Sequence, residues 1–138
     1  MQIIGITLIV SFVLNFLWEN AHAPLYTHPS GEVMTQTALT IATLGDVFIL
    51  SIFTALWWYI PLLKRHYTFV IPLGLITAFV IEKYALGVGR WAYAPAMPII
   101  PFLNVGLSPM VQLATTGFVL ILVLRMLNTP RKAPRYTS

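Results

Sequence analysis

Only four acidic side chains occur in the 138 residues, and three of them, Glu19, Asp46 and Glu82, fall within or at the ends of long apolar runs. Carboxyls held out of water are suited to proton transfer, because desolvation and like-charge neighbours favour the neutral acid. Glu19 is followed at three residues by His22 and preceded at four by Asn15, and with Trp18 these positions share one helix face. A second cluster lies in EKYALGVGRWAYAPAMPIIPFLNVGLSPMVQ, which sets Glu82, Arg90, Trp91 and Tyr93 before prolines 95, 98 and 101 and closes on Ser108, Pro109 and Gln112. These types read as an acid–base pocket. Asp46 and Glu82 are its catalytic candidates, with Glu19 and His22 in support. Asn15, Trp18, Arg90, Trp91, Tyr93 and Gln112 would surround the substrate, and the ring faces of Trp18 and Trp91 would stabilise a cationic intermediate.

Each signal has a plainer counterpart. Glu19-x-x-His22 has the spacing used by carboxylate-bridged metal proteins. It stands once, with His28 the sole nearby spare, so it reads as a hydrogen-bond network and no metal or cofactor is assigned. Asp46 could pair with Arg90 and merely lock two helices together. Glu82-Lys83 could be charges snorkelling at a helix end. Gln112 could be interhelical glue. Trp18, Trp91 and Tyr93 could be interface anchors, and Trp57-Trp58-Tyr59 reads as an aromatic belt.

The elements that position these residues follow from composition. The chain is 58% hydrophobic and only 9% charged, against about 25% charged in a soluble domain. That is too few charges for a water-facing surface, so the class is integral membrane protein. The absence of cysteine excludes disulfides, thiolate metal sites and a cysteine nucleophile. The net charge of +4 comes from basic residues at segment ends, which read as topology signals and not as a nucleic-acid surface.

Four apolar segments, about 3–20, 38–60, 69–86 and 109–127, are each near the roughly 20 residues needed to cross a bilayer. The first lacks the basic lead of a signal peptide and carries Asn15, Trp18 and Glu19, so it reads as a retained helix. Pro61 stops the second, Pro72 falls in the first turns of the third, and Ser108-Pro109 reads as N-cap and first residue of the fourth. The expected architecture is an all-α four-helix bundle over residues 1–128, followed by a basic cytoplasmic tail at 129–138. Pro95-x-x-Pro98-x-x-Pro101 forbids a regular helix, yet its fillers are apolar, so this piece is expected to fold over the bundle as an irregular lid.

Lys64, Arg65, Arg125, Arg131, Lys132 and Arg135 fall on one side of such a bundle, and only Lys83 and Arg90 on the other. The positive-inside rule then puts both termini in the cytoplasm, as in a bacterial inner-membrane protein, with both long loops outside. In that frame Asn15, Glu19, His22, Asp46, Glu82, Gln112, Thr115 and Thr116 converge at one outer-leaflet depth, Asp46 being roughly 12 Å inside. The inner halves of the helices offer almost no polar group. Buried charges in a bilayer cost about 2.5–3.5 kcal/mol each on insertion scales, so they pair or face a cavity.

The run GRWAYAPAMPIIPFLNVGLSPMVQ, with FLWENAHAPLY and LGD, resembles a family of small, uncharacterised four-helix bacterial membrane proteins. A weaker likeness is to the lycopene cyclase domain and the membrane carotenoid hydratases, carried by Arg90, Trp91 and Tyr93 and then Gly106 to Pro109. That likeness implies a hydrophobic, isoprenoid-like substrate. The cyclases follow their proline with paired glutamates, where this chain has Met110, Val111 and Gln112, which removes the residues expected to do acid chemistry.

The leading expectation is an outer-leaflet pocket for an isoprenoid or lipid molecule, run by acid–base chemistry if it is an enzyme. The alternatives are a non-catalytic subunit or assembly factor, whose polar network only fixes helix packing, and a small transporter, which would need an oligomer. The expected partners are the lipid bilayer, a hydrophobic small molecule, and a protein partner or second copy; nucleic acid is not among them.

Overall fold

The computed structural model describes residues 2–128. The expected basic tail, with Arg131, Lys132 and Arg135, lies outside the described residues. Four helices are long and apolar enough to cross a membrane: α1 (Gln2–His22), α2 (Gln36–Tyr59), α4 (Val70–Gly87) and α5 (Leu107–Asn128). The link between α2 and α4 holds a short α3 (Pro61–Arg65) and a 3₁₀ turn (Tyr67–Phe69). Local chemistry sets these limits. The Thr35 hydroxyl accepts from the Ala38 N–H at 3.2 Å and starts α2 two residues before the expected position. Pro61 ends α2 by disfavouring helix at Ile60, then serves as the first residue of α3. The connections 23–35 and 88–106 share one end of the bundle, the loop end; the link 60–69 shares the other, the terminal end, with Gln2 at the start of α1 and Asn128 at the end of α5.

The fold is not purely helical. Four two-residue strands occur among the described residues, all within the two long connections. β1 (Tyr26–Thr27) pairs antiparallel with β2 (Ala92–Tyr93), which joins the two connections directly. β3 (Ile99–Ile100) pairs with β4 (Val105–Gly106) in a small hairpin. The prolines explain this. They bar helix, so the residues between them stay extended, and extended backbone held against the bundle must find partners for its N–H and C=O groups. The lid is therefore irregular and proline-rich as expected, but stitched down. Met97 is its buried plug, packed so closely on Gly106 that a Cβ there would fall 2.7 Å from the Met97 sulfur.

Two kinds of packing hold the helices. α4 and α5 meet through small residues: a Cβ at Gly74 would fall 2.6 Å from the Ala114 backbone nitrogen, so only glycine allows this approach. Leu50, Phe53, Val70, Leu113, Leu120, Ile121 and Leu124 fill the centre. Trp57 belongs to this core, which corrects the reading of 57–59 as a plain aromatic belt: Trp58 and Tyr59 are exposed, but Trp57 follows Leu50 and Phe53 on the inner face.

α1 packs differently. Its buried residues are Thr7, Ser11, Asn15, Glu19 and His22, all of them polar. Its exposed residues include Ile4, Leu8, Ile9, Phe12, Val13 and Leu17. In water this inside-out helix would be unstable. In hydrocarbon it is the favoured arrangement, because polar groups there must be satisfied within the protein. It also overturns the expectation that one half of the bundle is nearly free of polar groups, since Thr7 and Ser11 of α1 and Ser51 and Thr54 of α2 lie in the terminal-end half.

Candidate functional site

α1 packs along α2, and α4 along α5, but α2 and α4 scarcely touch. Between them opens a cleft of about 430 Å³. Its walls are apolar: Leu39, Ala42 and Ile49 from α2, and Ala78 and Ile81 from α4. Its polar lining is Glu19, His22, Asp46, Gln112, Glu82 and Arg90, with the rings of Tyr26 and Trp91. Helical spacing brings them together, since Glu19 and His22 end the buried stripe of α1 and Gln112 sits in the second turn of α5. Gly45 lies beside Asp46 on the cleft wall, and a Cβ added there would meet no atom within 4 Å.

The centre is one amide. Gln112 Nε2 donates to Glu19 Oε1 at 2.8 Å and to Asp46 Oδ2 at 2.7 Å, with Asn15 Oδ1 at 3.3 Å. A primary amide has two protons, so it can serve both carboxyls but cannot fully serve a third acceptor. Thr116 Oγ1 lies 3.3 Å from Asn15 Oδ1. Glu19 Oε2 meets His22 Nε2 at 3.1 Å, and His22 Nδ1 meets the Ser108 hydroxyl at 2.9 Å. α5 begins at Leu107, so Ser108 lies in its first turn with its hydroxyl turned to the imidazole.

Glu82 has a different setting. It accepts from the Tyr93 hydroxyl at 2.6 Å, the Tyr26 hydroxyl at 3.1 Å and the Trp91 indole N–H at 3.4 Å. Tyr93 Oη in turn accepts from the Gly106 N–H at 2.8 Å. Burial first, and the adjoining Glu82 carboxylate second, push both phenols above their ordinary value, so they stay neutral donors. Tyr26, Trp91 and Tyr93 also pack as a cluster of rings over the cleft.

The structure thus joins Asn15, Glu19, His22, Asp46 and Gln112 in one network, and Glu82, Trp91 and Tyr93 in a second. Asn15 is buried and Tyr93 half-buried, and neither is among the cleft-lining residues. Trp18 is not among the cleft-lining residues, and its indole N–H has no partner. Asp46 is bound by an amide and not by Arg90: among the described residues, neither Arg90 nor Lys83 forms an ion pair with these carboxyls. Lys83 instead reaches the Leu103 carbonyl at 3.4 Å. His28 is spent on an exposed turn with Ser30. Sequence reasoning missed Tyr26 and the role of Ser108. The one available signal for Tyr26 was its place in FLWENAHAPLY, an aromatic with a hydroxyl just past a polar helix end.

No protein-family model, no curated protein and no solved structure matches this chain.

Proposed function

We propose that this chain is a multi-pass membrane protein that takes an isoprenoid-like or lipid amphiphile from the bilayer and acts on it by acid–base chemistry. One observation carries this reading: a cleft with apolar walls lies open between α2 and α4 and ends on two carboxyls that share one amide. A molecule dissolved in lipid would enter sideways and lay its apolar body along Leu39, Ile49 and Ile81. Its polar or unsaturated end would reach Asp46 and Glu19. We assign proton transfer to that pair, with His22 behind Glu19, and substrate positioning to Trp91, Arg90 and Gln112. Glu82 holds the lid. The resemblance of Arg90, Trp91 and Tyr93 to the carotenoid-modifying membrane enzymes agrees with an isoprenoid substrate. Lys64, Arg65 and Arg125 at the terminal end support cytoplasmic termini in a bacterial inner membrane, with the cleft in the outer leaflet.

The test is to purify the protein in mild detergent, extract it with organic solvent and identify what it retains by mass spectrometry. The wild type should retain a stoichiometric isoprenoid or other non-phospholipid amphiphile. Gly45→Leu should lose it without unfolding, because the new side chain projects into open cleft space. Bulk phospholipid alone in both proteins overturns the reading.

A further inference from the structure

The hairpin of β3 and β4 turns through Pro101-Phe102-Leu103-Asn104, and two of these residues have left-handed backbone, Phe102 at φ 70° and Asn104 at φ 52°. Asparagine adopts that region readily, whereas a bulky aromatic does so only at a cost. Glycine would make the same turn without strain. Phe102 recovers nothing for its strain by packing within the protein, because it is 100% exposed. A reason for phenylalanine at this position therefore lies outside the chain.

The place of the tip says what covers it. α4 ends at Gly87, and the ammonium of Lys83, one turn short of that end, donates to the Leu103 carbonyl at 3.4 Å. α5 begins at Leu107, four residues after Leu103. The tip is thus held at the loop ends of two helices that are long and apolar enough to cross a membrane. That is the level at which hydrocarbon gives way to headgroups. Around it the surface stays apolar or aromatic: Tyr84 and Val88 are exposed at the end of α4, Leu107 at the start of α5, and Ile99 and Leu103 on the hairpin itself. The tip carries no charge. Lys83, which clasps it, combines an apolar stem with a charged head, as suits the edge of a bilayer.

We infer that the 99–106 hairpin is an anchor for a lipid surface, with Phe102 as its wedge. Phe102, with Leu103 beside it, enters the loop-end leaflet at the boundary of headgroups and acyl chains, about 5–10 Å deep, as the apolar faces of interfacial segments do. The Lys83 ammonium has three protons and gives one to Leu103, so two remain for lipid phosphates. The inference rests on reading the long helices as membrane spans and on nothing in the chemistry of the cleft. The anchored hairpin also carries the lid. Its Gly106 N–H donates to Tyr93 Oη, Tyr93 donates to Glu82, and Met97 packs on Gly106. The wedge therefore ties the cover of the cleft to the surrounding lipid.

The chain has no cysteine, so a single introduced thiol reports one position. Phe102→Cys marks the tip, Ser30→Cys the turn in the other connection, and Ile41→Cys the outward face of α2; all three sites are exposed, so no core packing is lost. Each full-length variant is labelled with a small fluorophore and reconstituted in phosphatidylcholine vesicles. Quenching is then read with iodide present on both sides of the membrane, and separately with lipids carrying a nitroxide near the headgroup. The label at position 102 should be quenched several-fold more by the lipid nitroxide, and several-fold less by iodide, than the label at position 30. Iodide that reaches position 102 as freely as position 30, while position 41 stays protected, overturns the anchor and leaves the spans standing. Iodide that reaches position 41 as well overturns the membrane reading and the anchor with it. A label at position 102 shielded from both quenchers means that protein covers the tip, which also overturns the inference.

Discussion

Two carboxylate centres lie within one cleft, and they are wired in opposite ways. Glu82 is served by three donors, all aromatic side chains carried by the two connections, and it has no other carboxyl as a hydrogen-bond partner. Glu19 and Asp46 sit on two helices and divide the two protons of a single amide. A carboxylate accepts at about four sites. Glu82 has most of them filled, and the donors come from segments that would otherwise have little to hold them. The pair is under-served and open to the cleft. The same chemical group is thus used once as a fastener and once as a reactive centre, and the number of donors tells which is which.

The comparison breaks most completely at Gln112. Gln112→Leu removes the amide between the two carboxyls and leaves both, with Asn15, short of a donor. Hydrogen bonds to charged groups contribute about 1.5–3 kcal/mol each, and less where the unfolded chain finds partners in lipid. A loss of about 2–4 kcal/mol is expected, read as a fall of roughly 10 °C in the melting temperature in detergent. The cleft ligand should be lost as well. A variant as stable as the wild type would mean that the junction holds nothing together.

Tyr93→Phe tests the fastener. It takes away the shortest bond to Glu82 and also the acceptor of the Gly106 N–H. About 1–2 kcal/mol should be lost, but locally: amide exchange over 88–106 should quicken while α5 stays protected. Alkaline pH sharpens the point. Folding raises the phenol pKa of Tyr93 above its ordinary 10.0, first by burial and then by the nearby Glu82 carboxylate. The stability held by the neutral phenol is therefore complete below about pH 10 and declines above it, as the unfolded chain releases protons that the folded chain keeps. Tyr93→Phe should show a shallower alkaline decline, with Tyr26 supplying what remains.

How far all this could be read from the sequence depends on the reach of each contact. The four long helices were legible because length and hydropathy are properties of contiguous segments. The meeting of Asn15, Glu19, His22, Asp46 and Gln112 was legible because each lies a countable distance from a helix end, and helix ends share a level. Tyr26 was not, because its place depends on β1 finding β2 across some sixty residues. Thr7 and Ser11 were overlooked because small hydroxyl residues vanish into a hydropathy average and can bond their own helix backbone. The position of Trp57 was in principle readable. Leu50, Phe53 and Trp57 follow the helical period, whereas the run Trp57-Trp58-Tyr59 spreads over three faces.

Asp46→Asn should have the smallest effect on stability and divides the two centres most cleanly. The new side-chain carbonyl can still accept from Gln112, so the junction keeps its bond, while one of two neighbouring buried carboxyls is gone. Stability should stay within about 0.5 kcal/mol of the wild type or rise. The equivalent change at the fastener, Glu82→Gln, should lower stability, because a neutral amide oxygen accepts more weakly and its NH₂ group faces donors. Activity or ligand retention should follow the opposite order, lost in Asp46→Asn and kept in whatever fraction of Glu82→Gln remains folded. If both substitutions destabilise alike and neither alters ligand retention, then the number of donors does not distinguish the two carboxylate centres, and both are fasteners.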